Sequence, residues 1–239
     1  LTPAAAGIET EAMQKLLITI DGPAGAGKTT VSRELAERLA YRYVDTGALY
    51  RGVAYAARAR GVAPEDDEAL ARMLAGLRLV IERGRTGSRI LVDGEEITGR
   101  IRTPEVSMLA STVSARPAVR AFLLKVQQDL GREKAVVFEG RDMGTVVFPE
   151  ADLKFFLSAS ETTRAQRRFA ELQGGSAVNL QEVVQEMRRR DEQDRTRALA
   201  PLKPAADAIR IDSSELTVAQ VVEVMLGHVS AKLARADSA

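Results

Sequence analysis

Five short apolar runs punctuate the chain: Leu16–Ile20, Tyr41–Val44, Ala135–Phe138, Lys154–Leu157 and Ala208–Ile211. Their length and apolar content predict buried parallel strands. Helical patterns separate them. Val31, Leu35 and Leu39 recur at four-residue spacing after the first run, one face of a helix. Val218, Val221, Val222 and Met225 repeat the pattern within Thr217–Leu233. Strand and helix in alternation predict an α/β fold, a parallel sheet of five strands with helices on both faces. The stretch Leu77–Thr103 breaks the rhythm: LRLVIER, the Gly-containing GRTGS, then RILVDGEEITG with its Asp93-Gly94 pair. Two apolar runs with such turns predict a small antiparallel β unit, inserted into the α/β chain.

Composition narrows the chemistry. The chain has 239 residues, no Cys, and one His, His228, near the C-terminus. Thiolate chemistry, Cys-ligated zinc and a Ser-His-Asp triad are therefore excluded. Carboxylates, Arg, Lys, hydroxyls and backbone remain, a set suited to phosphoryl transfer. The 34 basic and 33 acidic residues leave a net charge of +1, which argues against a protein that coats nucleic acid. No apolar run has the length of a membrane span. Residues 1–12 lack the charged start and apolar core of a signal peptide and read as a disordered tail ahead of a domain over 13–239. A monomeric cytoplasmic protein is expected.

Directly after the first run comes Gly22-Pro23-Ala24-Gly25-Ala26-Gly27-Lys28-Thr29-Thr30, which contains G-x-x-x-x-G-K-[ST]. Its glycines let successive N–H groups point at phosphate oxygens, and the following helix presents its N-terminus to the same anion. Lys28 would reach the β- and γ-phosphates of ATP, and the Thr29 hydroxyl would ligate Mg2+. No N-K-x-D motif accompanies the loop, which argues against a GTPase.

Four further clusters each admit two readings. In Asp45-Thr46-Gly47-Ala48-Leu49-Tyr50-Arg51, the first residues can cap a helix and Arg51 can be a surface charge. Alternatively, Arg51 grips an acceptor phosphate from the carboxyl edge of the sheet. Glu139-Gly140-Arg141-Asp142 is either a charged turn or a site in which Arg141 holds phosphate while Glu139 and Asp142 organise Mg2+ water or an Arg. Arg164, Arg167 and Arg168 share one helix face, as do Arg190, Asp194 and Arg197. Both sets fit a solvated, salt-bridged surface, and 27 of the 34 basic residues are Arg, so clusters arise readily. Both also fit a helical lid that closes arginines over a transferring phosphoryl group.

Taken together, IDGPAGAGKTT, DTGALYR, GEEITGRIRTPEV, EGRDMGTVVFP, SASETTRAQRR and RRRDEQDRTRALAPLKPAADA resemble the nucleoside monophosphate kinases, and within them the bacterial cytidylate (CMP/dCMP) kinase family. The resemblance spans about Leu17 to His228. It implies a P-loop kinase with a substrate-binding subdomain over 73–112 and a lid over 160–198, transferring the γ-phosphoryl of ATP to CMP or dCMP. It implies that Lys28, Arg141, Asp142, Arg167 and Arg168 act in transfer, and that Arg164 joins the loop residues on ATP. Thr46, Arg51, Arg141, Asp142, Arg190 and Asp194 match acceptor positions, and Ser111, Arg120 and Arg197 match positions near the pyrimidine. Thr46 stands where some members carry Ser, and Glu139 where some carry Asp. A kinase for another nucleotide or a small hydroxy acid, or a non-catalytic ATP-binding switch, remains compatible with the loop. Arginines on two acceptor loops favour a phosphorylated acceptor over a hydroxy acid, an acceptor screen separates CMP from other nucleotides, and arginines on both lid helices argue against the switch.

Overall fold

The computed structural model describes residues 15–84, 87–172 and 179–236. Its strands are β1 (Leu17–Asp21), β2 (Arg42–Asp45), β3 (Leu79–Gly84), β4 (Gly87–Val92), β5 (Glu95–Glu96), β6 (Val136–Gly140), β7 (Leu153–Ser158) and β8 (Ile209–Asp212). Its helices are α1 (Lys28–Arg38), α2 (Thr46–Ala59), α3 (Asp67–Ala75), α4 (Pro104–Val113), α5 (Pro117–Gly131), α6 (Glu161–Leu172), α7 (Leu180–Thr196) and α8 (Val218–Ala236). Five strands pair in the order β2-β6-β1-β7-β8, all parallel. The α/β sheet read from the apolar runs is therefore present.

Alternation along the central strands sorts side chains to the two faces. Ile18, Ile20 and Val137 join Leu35, Val222 and Met225 of α1 and α8 in one core. Leu17, Val136 and Phe138 join Met143 and Val147 in another. Burial on both faces explains why β1 and β6 are buried at every residue. The strands end one or two residues later than their apolar runs, because backbone pairing continues through polar Asp21, Asp45 and Glu139. Those residues thus belong to the carboxyl edge of the sheet, where parallel sheets bind ligands.

β3, β4 and β5 form a separate antiparallel sheet. Asp93 and Gly94 both take positive φ (52° and 88°) between β4 and β5, the two-residue turn that Asp-Gly favours. The β3–β4 turn at 85–86, the tail 1–12 and part of the lid segment, 173–178, lie outside the described residues. The small sheet packs with α2 to α5 around a third core that includes Leu49, Val53, Leu70, Ile90, Ile97 and Leu123. A hydrogen bond from Ser88 Oγ to the Tyr43 carbonyl (3.3 Å) ties it to β2. α6 and α7 share a much smaller core, Ala165, Val183 and Met187. Among the described residues no helix is long and apolar enough to cross a membrane.

Candidate functional site

A cavity of about 380 Å³ opens at the carboxyl edge of the sheet. One end is the loop between β1 and α1. Gly22 approaches β7 so closely that a Cβ there would lie 2.0 Å from the Leu157 carbonyl oxygen, which fixes the loop's position. Gly27 caps α1 with φ 87° and supplies no side-chain bond to the first amides of the helix. Those amides, with the helix dipole, form an anion site. Lys28 is buried and its Nζ donates to the Pro23 carbonyl at 2.7 Å. Burial first, then Arg141, pulls its pKa down to about 7, with Glu139 pulling the other way. An anion in the loop would restore the missing opposite charge.

β6 delivers Glu139 to the same edge. The Thr29 hydroxyl donates to Glu139 Oε1 (2.8 Å) and the Tyr43 hydroxyl to Oε2 (2.5 Å). Thr46 Oγ1 donates to the Glu139 main-chain carbonyl at 2.7 Å. Thr29 and Glu139 are hard oxygen donors side by side beside the loop. They fit Mg2+, which takes one or two protein oxygens together with substrate phosphates and water. Asp21, the last residue of β1, lies beneath and accepts from the amides of Met143 (2.9 Å) and Gly144 (2.8 Å). Burial pushes its carboxyl up to about 6.

The other end of the cavity is cationic. Asp45 caps α2 by accepting from the Ala48 amide (3.0 Å) and also holds Arg51 (2.8 Å), so Arg51 is a partly buried, paired cation of the cavity wall and not a free surface charge. Arg141, beyond β6, donates through Nε to Asp194 Oδ2 of α7 (3.0 Å). Burial drives the Asp194 carboxyl up, but Arg141, Arg190 and Arg197 outweigh it and hold it below the ordinary value. Arg190 reaches the same wall, and burial followed by Arg141 brings it down to about 10, still a cation at neutral pH. Asp142 lies 2% exposed between Arg120 of α5 and Arg197, which is 3.3 Å away. Arg197 continues to the Ala200 carbonyl at 2.6 Å. In all, seven cationic side chains and five carboxylates line the cavity, a local surplus in a chain that is nearly neutral overall.

The structure brings most of the sequence-derived residues together: Ala24, Gly25, Gly27, Lys28, Thr29, Thr30, Thr46, Arg51, Ser111, Arg141, Asp142, Arg168, Arg190, Asp194 and Arg197 all line the cavity. Ser111 Oγ also bonds Gln193 Oε1 of α7 at 3.3 Å, across the mouth. Arg120 stands behind Asp142, at a second cavity of about 100 Å³. Arg164 and Arg167 do not reach the wall. Arg164 is buried against Asp191 (2.6 Å) and the Ala24 carbonyl (3.0 Å), and Arg167 donates to Ser213 Oγ (3.0 Å) and its carbonyl (2.7 Å). Their shared helix face packs on the outside of the loop, where a Cβ on Gly25 would meet the Arg164 carbonyl and Met187 at 2.9 Å. Ala26 faces the same way, and its carbonyl accepts from Ser213 Oγ at 3.2 Å.

Sequence reasoning missed several lining residues: Asp45, Tyr50, Arg102, Ser107, Ser114 and Glu171. Ser107 and Ser111 share one face of α4 and Ser114 caps its C-terminus in line with them, a row of hydroxyls that helical spacing could have revealed. Arg102 lies in the irregular segment before α4, within the quoted GEEITGRIRTPEV, 3.6 Å from Asp45.

Comparison with known proteins gives a consistent picture. Residues 18–231 match the family model described as cytidylate kinase. The cytidylate kinase of Citrifermentans bemidjiense is 45% identical over 223 residues, covering 93% of this chain and 96% of the relative. That of Geobacter sulfurreducens is 48% identical over 211 residues, 88% of this chain and 91% of the relative. Among solved structures, an uncharacterized protein from Eubacterium ventriosum superposes with TM-score 0.51 at 12% identity, covering 91% of this chain and 99% of that one. That last likeness speaks to the fold alone.

Proposed function

The chain belongs to the cytidylate kinase family, and from that premise we propose how its residues move the γ-phosphoryl group of ATP to the phosphate of CMP or dCMP. The observation that supports the reading best is the two-ended cavity. A phosphate loop with Lys28 forms one end, and Arg51, Arg141 and Arg190, from three different elements, form the other. Two polyanions brought face to face need such a lining. A switch that only bound ATP would need cations at the loop end alone, and a hydroxy-acid acceptor would not call for three arginines.

An oxygen of the acceptor phosphate forms the new bond to the γ-phosphorus. The bond to the β–γ bridging oxygen breaks, and that oxygen leaves with ADP and its electron pair. The second pKa of a phosphate monoester lies near 6, so the acceptor is largely dianionic at neutral pH and no general base is required. His228 accordingly takes no part; its ring lies 6.1 Å from that of Phe155 in the α8 core.

The loop amides and Lys28 hold the donor phosphates, and Thr29 and Glu139 would hold Mg2+. When bound, the cation would neutralise charge that develops on the β- and γ-phosphates. Arg51, Arg141 and Arg190 clamp the acceptor phosphate, with Thr46 and Asp194 beside them. Ser111, Asp142 and Arg197 form the base end, where a carboxylate can accept from the cytosine amino group, and Arg120 acts at one remove by holding Asp142. Arg168 reaches the transferring phosphoryl group. Arg164 and Arg167 act at one remove, by bracing the loop from behind.

Arg141→Lys is expected to lower kcat/KM for CMP more than tenfold, because a point charge cannot reproduce a planar fork. Steady-state kinetics at varied CMP measure it, and near-wild-type values would remove Arg141 from the clamp. The reading as a whole is tested by ADP release with ATP, Mg2+ and each of CMP, dCMP, UMP, AMP, GMP and dTMP. CMP and dCMP should turn over fastest. Preference for another nucleotide would keep the chemistry and correct the base pocket, and no turnover with any would overturn the reading.

A further inference from the structure

Tyr43 makes a contact that neither packing nor the scheme above requires. Its ring packs at the edge of the core that carries α1 and α8, and the Arg33 guanidinium lies 5.4 Å from the ring centroid. A phenylalanine would satisfy both. The hydroxyl, however, donates to Glu139 Oε2 at 2.5 Å, while Oε1 of the same carboxylate takes the Thr29 hydroxyl at 2.8 Å. Three elements meet here, β2, the end of β6 and the start of α1, and adjacent pairing of β2 with β6 and of β6 with β1 makes the meeting possible.

We propose that Tyr43 is a positioning residue for the reaction, fixing the Glu139 carboxylate through Oε2 so that Glu139 and Thr29 together present oxygen donors to the Mg2+ of the nucleotide. The inference rests on the kinase reading above.

Glutamate carries one more methylene than aspartate and so one more torsion to freeze. The Thr46 bond fixes only its main chain (2.7 Å to the carbonyl oxygen). With Tyr43 absent, the far carboxylate oxygen would have no side-chain partner, and the group could rotate away from Thr29. With Tyr43 present, one donor orients each oxygen, and each keeps lone-pair capacity. Thr29, with its hydroxyl hydrogen directed at Glu139, keeps both lone pairs for a cation. Groups that orient metal ligands in this manner are typically worth 10–100-fold in metal affinity.

The test is calorimetric titration of ADP into wild type and Tyr43→Phe, in EDTA and across a Mg2+ series, with melting temperature recorded for each. The expected result is a shift of about tenfold to higher Mg2+ in the concentration that tightens ADP binding. Metal-free ADP affinity and melting temperature should stay near wild type. In a Glu139→Gln background, Tyr43→Phe should add nothing. A Mg2+ series that superimposes on wild type would overturn the proposal. So would equal weakening of metal-free ADP, or an undiminished effect in the Glu139→Gln background, since either would mean that Tyr43 acts elsewhere. A wild-type protein whose ADP affinity ignores Mg2+ would overturn the metal part of the kinase reading itself, a different failure from Mg2+ dependence that Tyr43→Phe retains.

Discussion

Lys28→Ala is expected to lower kcat/KM for phosphoryl transfer by about 10²–10³-fold, the loss typical of removing one preorganised group aimed at developing charge. Lys28 is the only lysine lining the cavity among the described residues, and its Nζ is anchored to the Pro23 carbonyl at the mouth of the loop. Burial first, then Arg141, disfavours its charge, and a polyanion in the loop would offset both. Its attraction to phosphate should therefore grow most when charge concentrates on the transferring group, so the loss should fall mainly on kcat. Steady-state kinetics at saturating CMP, with ADP affinity measured separately, make the check. A defect confined to ADP binding, with kcat intact, would assign Lys28 to anchoring alone.

The second large effect is on stability. Asp142→Asn is expected to destabilise the fold by about 3–5 kcal/mol, because it leaves Arg120 buried without its counter-charge and Arg197 with Asp194 alone. The Asp142 side chain is 3% exposed, and Arg120 and Arg197 are 11% and 9% exposed, so water can do little to compensate. These three residues join α5, the loop beyond β6 and the segment after α7. Urea unfolding read by circular dichroism gives the free energy, and an unchanged m-value would locate the loss in the native state. If Asp142→Asn unfolds like wild type yet loses turnover, the carboxylate serves the acceptor and not the fold.

The parts of this molecule that a reader of the sequence recovers are those written locally. The phosphate loop is one contiguous pattern, the Asp93-Gly94 turn is two residues, and the strands of the sheet are apolar because both faces are covered. What cannot be recovered depends on which elements become neighbours. Thr29 and Glu139 are separated by 110 positions and Tyr43 and Glu139 by 96, yet they touch because the sheet runs β2-β6-β1, an order no periodicity encodes. The π-helical turn Met143–Val147, which puts two amides on Asp21, likewise leaves no mark in the sequence. Helical spacing places Arg164, Arg167 and Arg168 on one face but is silent about what that face meets. Two of the three brace the loop and one reaches the cavity.

The pairing of Arg51 with Asp45 and of Arg141 with Asp194 bears on what the site will ignore. Each carboxylate is tethered by the fold, so its effective concentration at the guanidinium can reach the millimolar range or above, as for any intramolecular partner. A dilute monovalent ion must displace a group that never diffuses away. A phosphate dianion engages several of these cations at once and recovers in multivalency what each exchange costs. On the proposed reading, occupancy of the acceptor end would be a swap of partners, with the chain's own carboxylates filtering out the simple anions of the surrounding solution.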